Sequence, residues 1–365
     1  MADTRAIPGL TPQQWDDKYF NESIQGDVFT DLMGEGVNSP IQVKTDLTVK
    51  NGDSVTFALV NRLTGDGVID DETLEGNEED LGKRSQKVTT HERAHAVRVS
   101  TYQEQLSAIP LREAAKDSLK TWVSEDTRDR IIDAMGSVAS GPTGPIRFQD
   151  ATEAQRDAWL ANNPQTLYGA AVANTVASDS SASLLNVDAT NDKLTRRAIS
   201  LLKRRALARI GDRPKIRPLR IGDKGKRFFV SYASPLMMRD LRADMEAVLD
   251  DTTAAGEAIA LFEGGDLYWD GVIVKELDEM PNYAGLGAGG IDVAPFYLIG
   301  AQALGMAKVS PWRTREKDFD YGRKKGVAII GFDGIEKLRF GTGATDLDAP
   351  KDNGIATGFF ANVGD

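Results

Sequence analysis

The chain has 365 residues, 41% hydrophobic and 27% charged, with 55 acids against 44 bases and a net charge of −11. That balance supports a packed core and excludes wholesale disorder. Cysteine is absent, which removes disulfides, thiolate catalysis and cysteine-zinc sites together. The N-terminus lacks the apolar stretch of a signal peptide, and no apolar run reaches bilayer length. The expectation is a chain made in the cytoplasm, with no membrane partner.

Residues 1–40 read as an extended arm with one helical patch, where Trp15, Tyr19 and Phe20 follow the cap-like pair Thr11-Pro12. From Ile41 to Ser100 the chain reads as two β arms joined by an acidic tip. Ile41–Val49 alternates apolar and polar residues, Asn51-Gly52-Asp53 is a hairpin signal, and Ser54–Val60 resumes in β-formers. Between Asp66 and Asp80 stand Asp70, Asp71, Glu72, Glu75, Glu78 and Glu79, with no base among them. Lys87–Thr90 and Ala96–Val99 form the returning arm. So thin an arm buries too little apolar surface to stand alone. Nothing near it in sequence offers a wall, so another subunit is the expected support.

Thr101–Met135 carries the strongest helical pattern, with Leu111, Ala114, Ala115, Leu119, Trp122 and Val123 forming its stripe. Pro110 marks a start or a kink, and Ser124-Glu125-Asp126 a restart. Residues 136–187 turn irregular, through Ser140-Gly141-Pro142, Asn162-Asn163-Pro164 and a serine-rich run at 178–183. They predict a surface segment with one short helix near Glu153–Leu160, marking a boundary between two halves. The second half opens with a helix capped from Asp188, Thr190 or Asn191, striped by Leu194, Ala198, Leu201, Leu202 and Ile210, and ended by Gly211. Beyond it come extended Arg213–Leu219, a strand at Arg227–Tyr232 and a helix from Ser234-Pro235 to Leu249. Strands are expected at Leu267–Leu277, Phe296–Ile299, Val327–Phe332 and Ile355–Phe360. Helices and strands mixed without a strict βαβ rhythm predict an α+β fold.

Three motifs need weighing. His91-Glu92-Arg93-Ala94-His95 matches the His-Glu-x-x-His of zinc peptidases, in which a helix brings both histidines onto one metal. Here the flanks favour a strand, where residues four apart stand about 13 Å from one another. These are also the only two histidines. A zinc hydrolase is therefore the alternative, and two strand residues the favoured reading. Gly285–Gly290 fits Gly-x-Gly-x-x-Gly but lacks the strand before and helix after that a dinucleotide site needs, so it reads as a surface loop. The acidic tip lacks the glycine and the closing glutamate of a calcium loop at the required places. No metal or cofactor is expected.

Charge is unevenly spread. Between Asp192 and Arg227 fourteen bases face three acids, and Arg196, Arg197, Arg204 and Arg205 cluster on one predicted helix. The partner is either a packaged polyanion or the acidic tip of a neighbouring copy; a basic nucleic-acid-binding module centred on residues 193–227 is a further alternative. The acidic residues named above and these four arginines are the candidate inter-subunit contacts.

Taken in order, several segments resemble the major capsid proteins of tailed double-stranded DNA phages, in the N4-like branch with the HK97-type fold. They are Lys50–Phe57, Leu63–Val68, Leu74–Leu81, Arg93–Arg98, Leu111–Ala115, Phe228–Val230, Asp240–Arg242, Gly271–Val274, Leu298–Ala303 and Asp320–Gly322. The resemblance spans residues 15 to 360. It implies an N-terminal arm (1–40), an extended E-loop β-hairpin (41–100) lying across a neighbour, a peripheral domain with a spine helix (101–187), an axial domain (188–310) and a return to the peripheral domain (311–365). It further implies hexamers and pentamers closing an icosahedral head around double-stranded DNA, a virion location after assembly in the host cytoplasm, no enzymatic activity, and a portal. A decoration protein is compatible with it. The chain starts directly with the arm, so a separate scaffolding protein is expected.

Overall fold

The computed structural model describes residues 28–45, 53–60, 68–70, 73, 75–76, 78, 83–106, 111–139, 145–208, 215–221, 226–254, 262–263, 266–341 and 348–364. Strands β1 (Met33–Gly34), β2 (Ile41–Lys44), β3 (Ser54–Val60), β4 (Lys83–Thr89) and β5 (His91–Ser100) precede helices α1 (Thr101–Leu106) and α2 (Leu111–Met135). The middle holds β6 (Ser137–Val138), β7 (Ile146–Arg147), α3 (Glu153–Asn162), β8 (Leu167–Tyr168), α4 (Ser180–Leu185), α5 (Arg196–Leu207), β9 (Leu219–Ile221), β10 (Lys226–Ala233) and α6 (Pro235–Ala254). The last third is β11 (Phe262–Glu263), β12 (Asp266–Trp269), β13 (Val272–Glu276), β14 (Val293–Ile299), β15 (Leu304–Phe319), β16 (Lys324–Lys337), β17 (Arg339–Phe340), β18 (Lys351–Asp352) and β19 (Ile355–Ala361). The architecture is α+β, as expected.

The chain divides into two compact units, residues 1–55, 88–136 and 301–336 against residues 56–87, 137–300 and 337–365. These cut the sequence elsewhere than the expected boundaries: residues 137–187 join the second unit, and the late return to the first ends at Glu336.

In the first unit a five-stranded sheet runs β1-β2-β15-β16-β5. β2 is parallel to both neighbours, and β5 pairs antiparallel with β16 along its full length, from His91↔Asp333 to Ser100↔Lys324. α2 lies on this sheet. Ala115, Leu119, Val123, Thr127 and Ile131 recur every four residues as its buried seam, while Glu113, Asp117, Glu125 and Asp129 face solvent. Leu119, Trp122 and Val123 meet Val97, Trp312, Val327 and Ile329. The helix runs unbroken through Ser124–Asp126, so the expected restart is absent: Val123 and Thr127 stay buried on one continuous seam.

The reading of residues 41–100 as arms without a wall is corrected at both ends. β2 and β5 lie in a sheet whose other long strands come from residues 304–337, more than two hundred positions away. Between them β3 and β4 form a two-stranded ribbon. It alternates as a strand should, with Val55, Phe57, Gln86 and Val88 buried. At its root the Thr90 amide and hydroxyl donate to the Asp53 carbonyl at 2.9 and 2.8 Å. The expected turn at Asn51-Gly52, the patch at Trp15–Phe20 and Pro110 lie outside the described residues.

The second unit is built on an eight-stranded sheet, β11-β12-β13-β10-β14-β19-β8, with β9 added to β10. β14 and β19 are buried at every position, the pattern of strands covered on both faces. Alternation along β19 shows what covers each. Ala356 and Phe360 pack with Ala198 and Leu202 of α5 and with Met237 and Leu241 of α6. Phe359 and Ala361 pack with Phe148, Trp159, Leu160, Tyr168 and Leu184. The described residues of 137–139 and 145–187 are thus no irregular surface boundary but supply the layer over the second face of this sheet. The short helix expected at Glu153–Leu160 is present as α3, with a capping box between Thr152 and Gln155. Where one strand was expected at Leu267–Leu277 there are two, turned by Asp270 and Gly271 at φ 48° and 72°.

Candidate assembly surfaces

The ribbon leads to the acidic segment. Asp70, Glu75 and Glu78 are exposed, whereas Asp71, Glu72 and Glu79 lie outside the described residues. Asp70 takes a φ of 55°, and the Glu78 carboxylate accepts a hydrogen bond from the Gly76 amide at 2.7 Å. Ile69, beside them, is 66% exposed.

The basic helix α5 begins later than its sequence suggested. Its cap is Thr195, whose side chain accepts from the Ala198 amide, while Asp188 closes a turn of its own with Thr190 and Asn191. Those bonds to Asn191 and Thr190 hold the Asp188 carboxyl below its usual range. Ala198, Ile199, Leu202 and Ala206 form the buried face. The four candidate arginines separate into two pairs. Arg196 places its amide 2.9 Å and its Nε 3.4 Å from an Asp244 carboxylate oxygen, with its guanidinium 5.9 Å from the Trp269 ring. Arg205 donates to the Pro164 carbonyl, and burial pulls its guanidinium pKa down. Arg197 and Arg204 are exposed and form no ion pair among the described residues. Lys203 reaches the Asp270 carboxylate at 2.8 Å.

Both histidines lie on β5, and both are exposed. The His95 ring packs 4.9 Å from Trp122, and Arg93 between them bonds Asp126 at 2.8 Å. The helix that a zinc-peptidase site requires is absent at this stretch. Among the described residues one set of three potential metal-ligating side chains converges, Glu153, Asp157 and Asp179, and it contains neither histidine. Two of the three have structural partners: Asp157 accepts from the Ser180 amide at 2.7 Å, and Asp179 caps α4 through the Ala182 amide at 2.8 Å. Gly285–Gly290 is a loop closed by a Tyr283↔Val293 bridge, with a single 3₁₀ turn and no helix N-terminus.

Sequence reasoning missed a buried polar knot in the second unit. Lys337 and Asp352, 1% and 3% exposed at their side chains, pair at 2.8 Å, and Trp159 Nε1 donates to the same Asp352 oxygen at 3.0 Å. The Asp352 amide donates to Asn163, and Gln86 of β4 donates to the Lys337 carbonyl at 3.0 Å while accepting from the Arg339 amide. The ribbon is thereby tied to the second unit by its own side chain. No single-sequence signal distinguishes Lys337 from the many solvated lysines around it.

A spine helix laid on a long-stranded sheet, a second α+β unit with a sheet covered on both faces, and a ribbon ending in an acidic segment define a structural subunit of HK97-type fold. Comparison with known proteins agrees. The chain belongs to the phage capsid protein family, whose model matches residues 7–357. It is 27% identical to the major capsid protein of Pseudomonas phage KPP25 over 361 residues, covering 91% of each chain. The capsid subunit of cyanophage Pam1 superposes with a TM-score of 0.80 at 25% identity over 100% of both chains. The capsid of Ralstonia phage GP4 gives 0.73 at 21% identity, over 93% of this chain and 92% of that one. The chain is a major capsid protein, located in the virion head. Among the described residues no helix is long and apolar enough to cross a membrane.

Proposed function

We propose that copies of this shell protein find register through opposite charge, the acidic segment 66–80 of one copy against the basic segment 193–227 of the next. Hexameric and pentameric capsomers follow from its identity as a major capsid protein; the charge contact adds how neighbours select one another. The observation that carries it is the division within α5: Arg196 and Arg205 are engaged inside their own subunit, and Arg197 and Arg204 are left facing solvent. In this reading the first unit serves as the peripheral domain and the second as the axial domain. Residues 1–40 act as the arm, and the ribbon with its acidic tip as the E-loop. The chain works without catalysis or metal, encloses double-stranded DNA without reading its sequence, and assembles with a separate scaffolding protein around a portal. Negative-stain electron microscopy of the chain expressed with its scaffold is the direct test. Closed shells of uniform size are expected; a monodisperse monomer under all such conditions overturns the reading.

A further inference from the structure

The layer over the second face of the eight-stranded sheet carries an apolar surface turned to solvent. Around the end of α4, Leu184 and Val187 pack into the core with Phe148, Trp159 and Phe359, whereas Leu185 between them is 61% exposed. The chain just before α4 behaves the same way. Val172 and Val176 are 46% and 38% exposed, and Ala171, Ala173 and Ala177 are exposed beside them. Apolar residues exposed singly are ordinary on any protein. Six between Ala171 and Leu185, held together by one set of hydrogen bonds, mark a contact surface.

Those bonds fix its shape. The Ser183 hydroxyl accepts from the Val176 amide at 2.8 Å and donates to the Asp179 carbonyl at 2.6 Å, and the Asn186 side chain donates to the Asn174 carbonyl at 3.1 Å. Residues 171–177 are thereby laid alongside α4. The Ala288 amide donates to the Val187 carbonyl at 2.9 Å, which brings the Gly285–Gly290 loop to the same edge. A Cβ at Gly287 would stand 2.5 Å from the Ile291 side chain and 3.1 Å from the Val187 carbonyl, so the glycine motif serves this close approach. A surface fixed beforehand loses little conformational freedom when a partner arrives. Its charge is also of one sign. Neither Asp157–Asp192 nor Glu276–Ala307 contains a lysine, arginine or histidine. Asp179, Asp188 and Asp292 border the surface, and among the described residues their partners are backbone amides and asparagine side chains, which satisfy the carboxylates without neutralising them.

We propose that this surface docks a basic, amphipathic segment of a protein other than this chain. The segment sets apolar side chains against Val172, Val176 and Leu185, and lysines or arginines against the carboxylates around them. Charge complementarity fixes the sign of the partner, and the apolar anchors fix where it sits. A second copy is the poorer occupant. The exposed Arg197 and Arg204 of α5 bring charge without an apolar anchor, because Ala198, Ile199, Leu202 and Ala206 of that helix are buried. Such a contact is separate from the meeting of copies that builds the shell.

The probe is a fluorescent synthetic helical peptide with leucines along one face and lysines elsewhere, titrated by anisotropy against the full-length free subunit. A peptide of the same composition in shuffled order is its control. The amphipathic peptide is expected to bind, and the shuffled one to bind about tenfold more weakly or worse. Val176→Ser with Leu185→Ser is expected to cost the same factor while leaving the melting temperature within about 1 °C, as exposed substitutions usually do. Leu185→Lys, which sets a base in a base-free surface, is the second variant and is expected to act in the same direction. Both variants leave the acidic segment 66–80 intact, so binding that survives them has gone elsewhere on the subunit and overturns the proposal. Absence of binding at low salt overturns it as well. Analytical ultracentrifugation of the chain alone tests the other occupant: self-association that vanishes in Val176→Ser with Leu185→Ser means that a second copy covers the surface, and the proposal falls.

Discussion

Arg130 of α2 grips Asp333 of β16 with both guanidinium nitrogens, Nη1 at 2.5 Å and Nη2 at 3.1 Å from the two carboxylate oxygens. The same arginine reaches back to Asp126 through Nε at 2.8 Å, and Asp126 also holds Arg93 of β5. Burial pulls the guanidinium pKa down, but the hydrogen bond and charge of Asp333, with Asp126 behind them, outweigh it and hold it above its ordinary value. The spine helix is therefore fixed to the sheet by a directional clamp as well as by its apolar seam. Asp333→Ala leaves Arg130 half-satisfied in a nearly closed site and is expected to cost about 3 kcal/mol. Urea denaturation of the free subunit measures it, and a loss within 0.5 kcal/mol, the scale of about an exposed pair, shows that the clamp is dispensable.

The Lys337–Asp352 pair makes a sharper test, because almost nothing screens it. Lys337→Met alone strands a buried carboxylate with only Trp159 and the surrounding amides to support it, and about 3–5 kcal/mol of stability is expected to go. Lys337→Met combined with Asp352→Leu removes both charges and is expected to recover much of that loss, since the isolated pair gains little over well-packed apolar groups. A double-mutant cycle in guanidinium chloride decides the matter. A double variant as unstable as the single one shows that the knot acts through hydrogen-bond geometry instead.

Close packing at Gly331 ties β16 to Trp312. A Cβ there would stand 2.4 Å from the indole, well inside contact distance, and Trp312 is 4% exposed beneath α2. Gly331→Ala is expected to destabilise the first unit by about 1–3 kcal/mol through overpacking. Near-ultraviolet circular dichroism and thermal melting should change together as the tryptophan is displaced.

On the exposed side of α2, Glu316 of β15 receives both Arg112 and Lys116, the latter at 2.9 Å. Burial works to raise its pKa, but Lys116 and Arg112 outweigh it and hold the carboxyl below its ordinary value. A carboxylate favoured by folding contributes fully above its unfolded value, and the contribution fades as pH falls through the folded one. Glu316→Gln is therefore expected to lower stability at pH 7 by about 0.5 kcal/mol, reduced by solvent screening, and to have no effect in strong acid. Melting curves of the two proteins from pH 7 downward should converge; a gap constant with pH would trace the effect to packing.

Where residues act locally, the sequence was readable. The middle of the α2 seam (Ala115, Leu119 and Val123), the strand at β10, the Ser234-Pro235 start of α6 and the strand character around His91 all follow from spacing and caps, whereas Ala114, placed on the same stripe by its spacing, is exposed. Asp270-Gly271 was readable too, since a two-residue Asp-Gly turn is a hairpin signal, yet the apolar run on either side masked it. β15 was hidden for a different reason: its first residues are a buried run and its last are charged and exposed, so no single period marks it as one strand. Residues 137–187 misled because Gly144-Pro145 precedes Phe148 and Asn162-Asn163-Pro164 separates Trp159 from Tyr168, and only the tertiary partner Phe359 shows these three aromatics to be core. The separation of the α5 arginines into bound and free pairs depends on Asp244 and Pro164, which lie 48 and 41 positions from their partners.

That separation changes which charge reversal is informative. A paired reversal at Arg204 and Arg205 would confound assembly with folding, because Arg205 is half-buried and donates to the Pro164 carbonyl. Arg197→Glu with Arg204→Glu reverses two exposed charges and is expected to leave the subunit's melting temperature within about 1 °C, as surface substitutions usually do. Assembly followed by light scattering is expected to slow or stop, and unmodified assembly to slow as salt rises, since about 10 Å of screening length at 0.1 M ionic strength weakens attraction between exposed charges. Arg196→Glu with Arg205→Glu is expected to do the reverse, lowering the melting temperature by setting a carboxylate against Asp244 and by emptying the bond to Pro164. If Arg197→Glu with Arg204→Glu assembles at the unmodified rate at low salt, the basic face of α5 has no part in bringing copies together, and the acidic segment must find its charge elsewhere on the neighbouring subunit.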